Sequence, residues 1–251
     1  MARVTCGMLI SIIIPCFQNE VQLTGTVERI IKAIGPLQDN FELILVDDGS
    51  TDGTWRIISN LSSRFEIIGG IKLAQNIGAY NALIAGFDNA KGDALLVMAA
   101  DGDDPPELVP ELLANLKDAD AVLANRAESE KSWSNSFISK LFYAVLRLFG
   151  AKHIPKGGSD FLLMKREILK RCQKEGFKSG NTLVQLVQHA NSVNIIPYKK
   201  GSSKSTSWTL KRKILLLLQT LNQFTNVPFV SKRPTPYSID ETIGLLRSFD
   251  K

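Results

Sequence analysis

Short apolar runs alternate with amphipathic stretches through the first half of the chain. Runs rich in Ile, Leu and Val cover residues 9–15, 41–46, 67–71, 94–98 and 121–124. Nearly continuous apolar runs of this length are typical of strands that are buried on both faces of a parallel sheet. Between them, apolar positions recur with helical spacing in residues 20–34, 52–62, 76–90 and 105–116. This alternation predicts an α/β domain whose mostly parallel sheet carries helices on both faces.

The pattern changes after Asn125. Residues 128–136 are polar and predict a loop. Beyond it we expect strands at 161–164 and 193–198 and helices at 136–149, 165–172, 182–190 and 208–224. We therefore divide the chain into a first half, 1–127, a second half, 128–230, and a loosely ordered tail, 231–251, all within one domain.

Charge is distributed unevenly along the 251 residues. Residues 1–130 carry 19 acidic and 9 basic side chains, a net charge of −10, whereas residues 131–251 carry 6 acidic and 21 basic ones, a net charge of +15. The basic half is suited to an anionic partner such as a phosphorylated molecule or a membrane surface, although a solvated basic face is equally compatible. The acidic half argues against nucleic acid as the partner.

Membrane insertion and disulfide bonding are both disfavoured. No run reaches the roughly 18–20 apolar residues that a membrane-spanning helix needs, and residues 214–230 are interrupted by Gln and Asn. The three cysteines have unrelated spacings, which indicates a reduced, cytoplasmic protein. The basic residues 199–213 and the apolar face of 208–224 suit a peripheral contact at the cytoplasmic membrane face, or packing of that helix on the core.

The most acidic loop follows the fourth predicted strand. Asp101, Asp103 and Asp104 lie within four residues there. Asp101 and Asp103 are alternate residues, so in extended backbone their carboxylates project the same way and suit a hard divalent cation. The alternative is a solvated acidic turn, and for Asp104 we expect the cap of the helix that begins near Pro105.

A second acidic loop, residues 47–52, follows the second strand. An acid at this position could hold a ribose or a base edge, while its neighbours cap the next helix. The chain contains neither G-x-x-x-x-G-K-[ST] nor G-x-G-x-x-G. Any phosphate is therefore expected to be held by a metal together with Lys or Arg, because both glycine-rich phosphate loops are missing.

Taken together, these motifs resemble those of the family 2 glycosyltransferases. The resemblance is strongest to the polyprenol-phosphate glycosyltransferases that are similar to dolichol-phosphate mannosyltransferase. It is carried, in chain order, by residues 11–20, 46–54, 76–78, 101–107, 157–161 and 205–213 with Pro228. It covers about residues 8–230, and the motifs are specific as an ordered set.

The resemblance implies a GT-A fold, a UDP- or GDP-sugar donor, a Mg²⁺ or Mn²⁺ cofactor and an acceptor such as a polyprenyl phosphate. It implies that the nucleotide and its phosphates are bound by Pro15, Phe17, Glu20, Asp48, Gly78 and Lys204. It assigns Asp101 to the metal and Asp103 to the metal and catalysis, and it places Asp160 near the acceptor as a second catalytic carboxylate.

Two positions depart from the family's pattern. Ala99 stands where the family has the first acid of Asp-x-Asp, and Asp103 is the carboxylate that can compensate. Lys199, Lys200 and Lys204 stand where the branch has arginines, so they would bind phosphate as point charges. Ala99 leaves open a second hypothesis, a catalytically silent relative that binds nucleotide or lipid phosphate. A nucleotidyltransferase ranks last, because the first loop lacks a Gly- and Lys/Arg-rich segment.

The chemistry that follows depends on the acceptor. The leaving nucleoside diphosphate gains negative charge, which a metal and basic side chains can stabilise. A lipid phosphate is already ionised near neutrality and needs no strong base. If the acceptor were a hydroxyl group, Asp160 would be the candidate general base.

Overall fold

One mixed sheet runs through the protein. The computed structural model describes residues 7–35, 40–126, 160–198 and 236–244, and within them eight strands pair in the order β7-β5-β6-β4-β1-β2-β3-β8. The strands are β1 Ile10–Cys16, β2 Phe41–Asp47, β3 Ile68–Leu73, β4 Ala94–Val97, β5 Ala121–Arg126, β6 Leu162–Lys165, β7 Val193–Tyr198 and β8 Ile239–Ile243. The strands predicted from apolar runs are therefore present, with ends that differ by one or two residues.

Helices connect most of these strands. The described ones are α1 Leu23–Ile34, α2 Thr54–Arg64, α3 Ala79–Asn89, α4 Val109–Leu116, α5 Arg166–Glu175 and α6 Thr182–Gln188. A short 3₁₀ turn, Pro106–Leu108, precedes α4, so the helix expected at 105–116 begins as a tighter turn. The helices predicted at 136–149 and 208–224 lie outside the described residues.

Strand direction brings the loops of the first half to one edge. β1 pairs in parallel with β2 and β4, and β2 pairs in parallel with β3. β6 runs antiparallel to both β4 and β5, and β8 runs antiparallel to β3. The carboxyl ends of β1 to β4 therefore meet at the same edge as the amino end of β6. We call this the carboxyl edge.

Helices cover both faces of the sheet, as the sequence predicts. Alternate residues of β1 point to opposite faces: Ile12 and Ile14 pack with α1, α2 and α4, whereas Ile13 packs with α3, α5 and α6. All three isoleucines are fully buried. Burial on both faces explains why β1 is a continuous apolar run rather than an alternating one.

The expectation of a loosely ordered tail is wrong for residues 239–243. They form β8, which pairs with β3 at the edge of the sheet. The Lys72 ammonium lies 3.0 Å from the Asp240 carboxylate, and the Trp55 indole donates to Glu241 at 2.7 Å. Most of β8 is exposed, so it has no apolar pattern that could predict it; backbone pairing and polar contacts with distant residues hold it instead.

A buried polar cluster ties the amino ends of β1 and β2 to the turn before β4. One oxygen of Glu42 accepts hydrogen bonds from the Ser11 hydroxyl at 2.5 Å and from the Lys91 backbone at 2.6 Å. We expect Glu42→Ala to lower the free energy of unfolding by about 1–3 kcal/mol, because the buried Ser11 hydroxyl and the part-buried Lys91 N–H lose their acceptor. Urea unfolding at equilibrium measures the loss.

The matched control for this variant is Glu28→Ala. Glu28 pairs with Arg64 at 3.2 Å, and both side chains are about half exposed. Such a surface pair contributes about 0–1 kcal/mol. Equal losses for Glu42→Ala and Glu28→Ala would contradict a structural role for the buried cluster.

Candidate functional site

The loop after β1 is fastened to the loop after β2. Gln18 has a φ of 55°, a left-handed conformation that is rare outside glycine. Its backbone N–H donates to the Ser50 hydroxyl at 3.1 Å, and its side-chain amide donates to Thr51 at 2.8 Å. In this arrangement Pro15 is half-buried at the end of β1 and Phe17 is 45% exposed at the carboxyl edge. Phe17 is therefore accessible to a ligand at this edge.

Glu20 completes the connection between these two loops. Its carboxylate accepts a hydrogen bond from the Gly53 N–H at 3.0 Å and pairs with Arg56 at 2.9 Å. A Cβ atom at Gly53 would lie 2.2 Å from the Glu20 carboxylate, so a larger residue there would displace the Glu20 side chain. An anion at the start of α2 is also favoured by the helix dipole. The structure shows how Glu20 is positioned; its contact with a nucleotide stays a prediction.

Asp48 fastens the loop after β3. Its two carboxylate oxygens accept hydrogen bonds from the backbone N–H groups of Ile77 at 2.8 Å and Gly78 at 2.9 Å. The residue is 2% exposed, and this burial raises its pKa to about 6 even though the two N–H groups lower it. Gly78, which has a φ of 89°, precedes α3. Asp48 therefore holds in place the glycine that was expected to bind substrate.

Asp47 is the last residue of β2 and pairs with Cys16 of β1. It is fully buried, and one of its oxygens accepts the Ser50 N–H at 3.1 Å. The other oxygen has no hydrogen-bond partner among the described residues. Burial raises the pKa of Asp47. The pKa of the Cys16 thiol is also raised, mainly by burial and to a smaller extent by the negative charge of Asp47. Cys16 is therefore held as a thiol and is unsuited to act as a nucleophile.

Helix α1 supports the acidic loop after β4. The Thr26 hydroxyl donates to the Ala100 carbonyl at 3.1 Å, and the Arg29 guanidinium donates to the Gly102 carbonyl at 3.0 Å. Within the loop, Asp101 accepts a hydrogen bond from the Asp103 N–H at 3.0 Å. Asp101 is exposed and Asp103 is half-buried. The carboxylates of the predicted metal site thus stand on a backbone that two distant side chains hold.

The expectation that Asp104 caps the following helix is wrong. Its carboxylate is buried and accepts hydrogen bonds from the Ala99 N–H at 2.8 Å and the Tyr198 hydroxyl at 3.3 Å. The 3₁₀ turn that follows has no side-chain cap. Asp104 turns back to the end of its own strand and to β7, because those groups are buried and need a partner.

Asp101 and Asp103 offer only part of a metal coordination shell. The described ranges contain no group of three or more His, Cys, Asp or Glu side chains arranged to hold a metal ion. Mg²⁺ in proteins commonly takes one or two carboxylates and completes its shell with substrate phosphates and water. Gly102 has a φ of 76°, so the backbone between the two carboxylates forms a turn rather than the extended segment expected from the sequence, and a cation held by Asp101 and Asp103 stays a prediction.

Asp160 reaches the same edge from the second half of the chain. It precedes β6, beside the end of β4, and accepts a hydrogen bond from the Tyr80 hydroxyl at 3.3 Å. Lys204 lies outside the described residues, as do Lys199 and Lys200. The structure therefore gathers every other predicted site residue at the carboxyl edge, and it adds Thr26, Arg29, Tyr80 and Tyr198, which no sequence motif marked.

Comparison with known proteins agrees with this arrangement. Residues 11–173 match the family Glycosyl transferase family 2. The chain belongs to this family. The resemblance found in the sequence is thereby confirmed, and relatives named for undecaprenyl phosphate support the polyprenol-phosphate branch.

Two curated relatives illustrate this similarity. An uncharacterized glycosyltransferase of Synechocystis sp. is 34% identical over 167 residues, 66% of this chain and 52% of the relative. An undecaprenyl-phosphate 4-deoxy-4-formamido-L-arabinose transferase of Aeromonas hydrophila is 32% identical over 218 residues, 85% of this chain and 65% of the relative. The chain thus spans between half and two thirds of the length of these proteins.

Solved structures confirm the fold of the protein. Glucosyl-3-phosphoglycerate synthase from Mycobacterium tuberculosis, crystallised with UDP, matches with a TM-score of 0.63 at 17% identity over 91% of each chain. Residues 1–349 of S. aureus TarS match with a TM-score of 0.57 at 17% identity, covering 86% of this chain and 71% of TarS. Both are GT-A glycosyltransferases, so the predicted GT-A fold is confirmed. In the part of the chain that the structure describes, no helix has the length and apolar character to cross a bilayer.

The Asp48 contacts lead to a testable pH effect. Asn at position 48 can accept from only one of the two N–H groups, so we expect Asp48→Asn to weaken nucleotide binding about tenfold, the cost of one unpaired buried donor. Because the pKa of Asp48 is about 6, nucleotide affinity should rise between pH 5 and 7 as the carboxylate ionises. Calorimetric titration with UDP and GDP measures both effects.

The Asp48→Asn variant is also the control for titration of the ligand. The diphosphate itself ionises near the same pH, so only the difference between the two proteins reports on Asp48. The pH dependence of folding has the opposite sign to that of nucleotide affinity. Because burial raises the pKa of Asp48 in the folded protein, the free energy of unfolding falls as the pH rises from about 4 through about 6. Identical pH profiles of nucleotide affinity in the two proteins would contradict the assignment.

Proposed function

We propose that this protein transfers a sugar from a nucleotide-diphosphate sugar to a polyprenyl phosphate or a related glycan–lipid intermediate. One observation carries the proposal: the loops after β1 to β4, which hold Phe17, Glu20, Asp48 and Asp101, meet at one edge of the sheet. Open α/β sheets bind their ligands at the carboxyl ends of the strands. Family membership agrees with this site.

The proposed donor is a UDP- or GDP-sugar. Phe17 offers an exposed aromatic face just after β1, and Pro15 lies near the end of that strand. Glu20 joins the loop after β1 to the loop after β2, and Asp48 joins the loop after β2 to the loop after β3. Two of the structural neighbours were crystallised with uridine nucleotides, which supports a nucleotide-sugar donor for this chain. Transfer assays with a panel of UDP- and GDP-sugars would identify the base and the sugar.

The proposed cofactor is Mg²⁺ or Mn²⁺, held by Asp101 and Asp103 together with the diphosphate of the donor. When bound, such a cation stabilises the negative charge that the departing nucleoside diphosphate gains. The chain's own contribution is to present the two carboxylates on a backbone that Thr26 and Arg29 hold. Because this backbone is already held, the carboxylates need little rearrangement to bind.

The proposed acceptor is a lipid phosphate whose oxygen attacks the anomeric carbon while the bond to the diphosphate breaks, with inversion at that carbon. The phosphate is already ionised near neutrality, so no side chain has to remove a proton. Asp160 lies on the acceptor side and would orient the acceptor, or act as general base for a hydroxyl acceptor. The name of the Aeromonas relative, which specifies undecaprenyl phosphate, supports this acceptor class.

A peripheral location at the cytoplasmic membrane face belongs to the same proposal. A polyprenyl acceptor is anchored in a bilayer, and residues 199–213 are basic. Positive charge beside an apolar helical face favours contact with an anionic membrane surface.

The alternative function is a silent relative that binds nucleotide or lipid phosphate without turnover, and Ala99 is the residue that favours it. The deciding experiment incubates the protein with UDP- and GDP-sugars, Mg²⁺ or Mn²⁺, and undecaprenyl phosphate in detergent. We expect a lipid-linked sugar from one donor and none when EDTA is present. Nucleotide binding without product from any donor would favour the silent relative.

A further inference from the structure

Asp160 accepts a hydrogen bond from a side chain of α3, and that side chain is contacted in turn by the residue that precedes α6. The Tyr80 hydroxyl, on the first turn of α3, donates to the Asp160 carboxylate at 3.3 Å. The side-chain amide of Asn181, which precedes α6, donates to the same hydroxyl at 2.9 Å. The three residues form a continuous series of hydrogen bonds, which we call the Asn181–Tyr80–Asp160 chain.

The direction of each hydrogen bond in this chain is determined. The Asn181 side-chain oxygen accepts from the N–H groups of Leu183 at 3.0 Å and Val184 at 3.1 Å, which caps α6. Its nitrogen must therefore face Tyr80, and an amide nitrogen only donates. The Tyr80 oxygen accepts that bond, so its own proton is directed to Asp160.

Tyr80 is also fixed at its backbone. The Thr182 hydroxyl donates to the Tyr80 carbonyl at 2.8 Å. Tyr80 follows Gly78 by two residues, and Asp48 holds Gly78 in place. A single side chain therefore connects the loop on the donor side to the carboxylate on the acceptor side.

We propose that Tyr80 is a positioning residue that orients the Asp160 carboxylate for the acceptor, and that Asn181 sets the direction of the Tyr80 hydroxyl. The inference rests on the proposed function, in which Asp160 contacts the acceptor. At 3.3 Å the bond from Tyr80 is long, as hydrogen bonds of active sites often are before substrate binds, and it tightens when the acceptor is bound.

Two variants interrupt the chain in different ways. Tyr80→Phe removes the hydroxyl and keeps the ring. Asn181→Asp keeps the two bonds that cap α6, since Asp is as good a helix cap as Asn. It replaces the donor by an acceptor, so the Tyr80 proton turns from Asp160 to residue 181.

Tyr237→Phe is the matched control. Tyr237 donates its hydroxyl to the Asp88 carboxylate at 2.7 Å, so the variant removes the same group from another Tyr–Asp pair. Asp88 lies near the end of α3, away from the loops of the candidate site. The control therefore reports the effect of losing such a hydrogen bond on folding alone.

The experiment measures kcat, the KM for donor and acceptor, and the melting temperature, with undecaprenyl phosphate and the donor identified by the panel. We expect Tyr80→Phe and Asn181→Asp each to lower kcat about tenfold or more and leave the KM for donor unchanged, as for loss of an interaction made in the transition state. Tyr237→Phe should keep the wild-type kcat. Adding Tyr80→Phe to Asp160→Asn should lower kcat no further, because the first residue acts through the second.

Each contrary result has a distinct meaning. Full kcat in Tyr80→Phe, with kcat reduced in Asp160→Asn, overturns the role of Tyr80 and leaves the proposed function intact. Full kcat in Asn181→Asp alone overturns the role of Asn181. Equal losses in Tyr80→Phe and Tyr237→Phe indicate a folding effect and overturn the inference. A wild-type protein without turnover on any donor overturns the proposed function, and this inference with it.

Discussion

Replacing Asp101 by Asn is expected to lower sugar transfer by about 10²–10³-fold, the usual cost of removing one group that stabilises developing charge. Asp101 is exposed at the tip of the loop after β4, where a diphosphate can share a cation with it. The amide keeps the shape of the side chain and removes its charge. Because only two carboxylates serve the proposed cation, loss of one should also abolish tight uptake of Mn²⁺ in the presence of nucleotide.

The measurement separates metal binding from catalysis. Mn²⁺ uptake is followed by electron paramagnetic resonance with UDP or GDP present, and transfer is followed as lipid-linked sugar. Glu107→Gln is the control, since Glu107 is an exposed carboxylate close in sequence whose contact is a 3.4 Å pair with Arg29. If Asp101→Asn took up Mn²⁺ and transferred sugar like the wild type, the proposed metal site would be wrong.

Gly49→Ala is expected to damage both folding and nucleotide binding. Gly49 has a φ of 66°, and a Cβ atom there would lie 2.4 Å from the Gln75 carbonyl carbon and 2.5 Å from the Asn76 nitrogen. These are backbone atoms of the loop after β3, which Asp48 holds through Ile77 and Gly78. Moving them would strain those adjacent hydrogen bonds. We expect a loss of about 2–4 kcal/mol in the free energy of unfolding, combining left-handed strain with overpacking, and at least tenfold weaker binding of UDP or GDP.

Gly25→Ala is the control for this substitution. Gly25 lies on the exposed side of α1, and no atom would lie within 4 Å of an added Cβ. Alanine is favoured over glycine inside a helix by up to about 1 kcal/mol, so this variant should be slightly more stable and bind nucleotide normally. Urea unfolding and calorimetric titration compare the two. Wild-type nucleotide affinity in Gly49→Ala would contradict the close packing of the two loops.

Apolar patterning in the sequence was sufficient to predict the layers of the fold and the sheet edge at which the candidate site lies. A strand buried on both faces is mostly apolar, as β1 and β2 are apart from Ser11, Glu42 and Asp47, so their positions could be predicted within one or two residues. The acids that follow such strands then lie at the carboxyl edge by geometry alone. Asp48, Asp101 and Asp103 were found in this way, because strand burial and loop position are both local properties of the chain.

The groups that those residues contact could be identified only from the three-dimensional structure. Asp104 bonds to Tyr198, 94 residues away, rather than capping its own helix, and Asp160 bonds to Tyr80, 80 residues away. β8 was missed because an exposed edge strand is held by its pairing with β3 and carries no apolar pattern. Hydrogen bonds between distant segments depend on strand order and register, which set the separation of the partners. Apolar periodicity reports burial but does not report that separation.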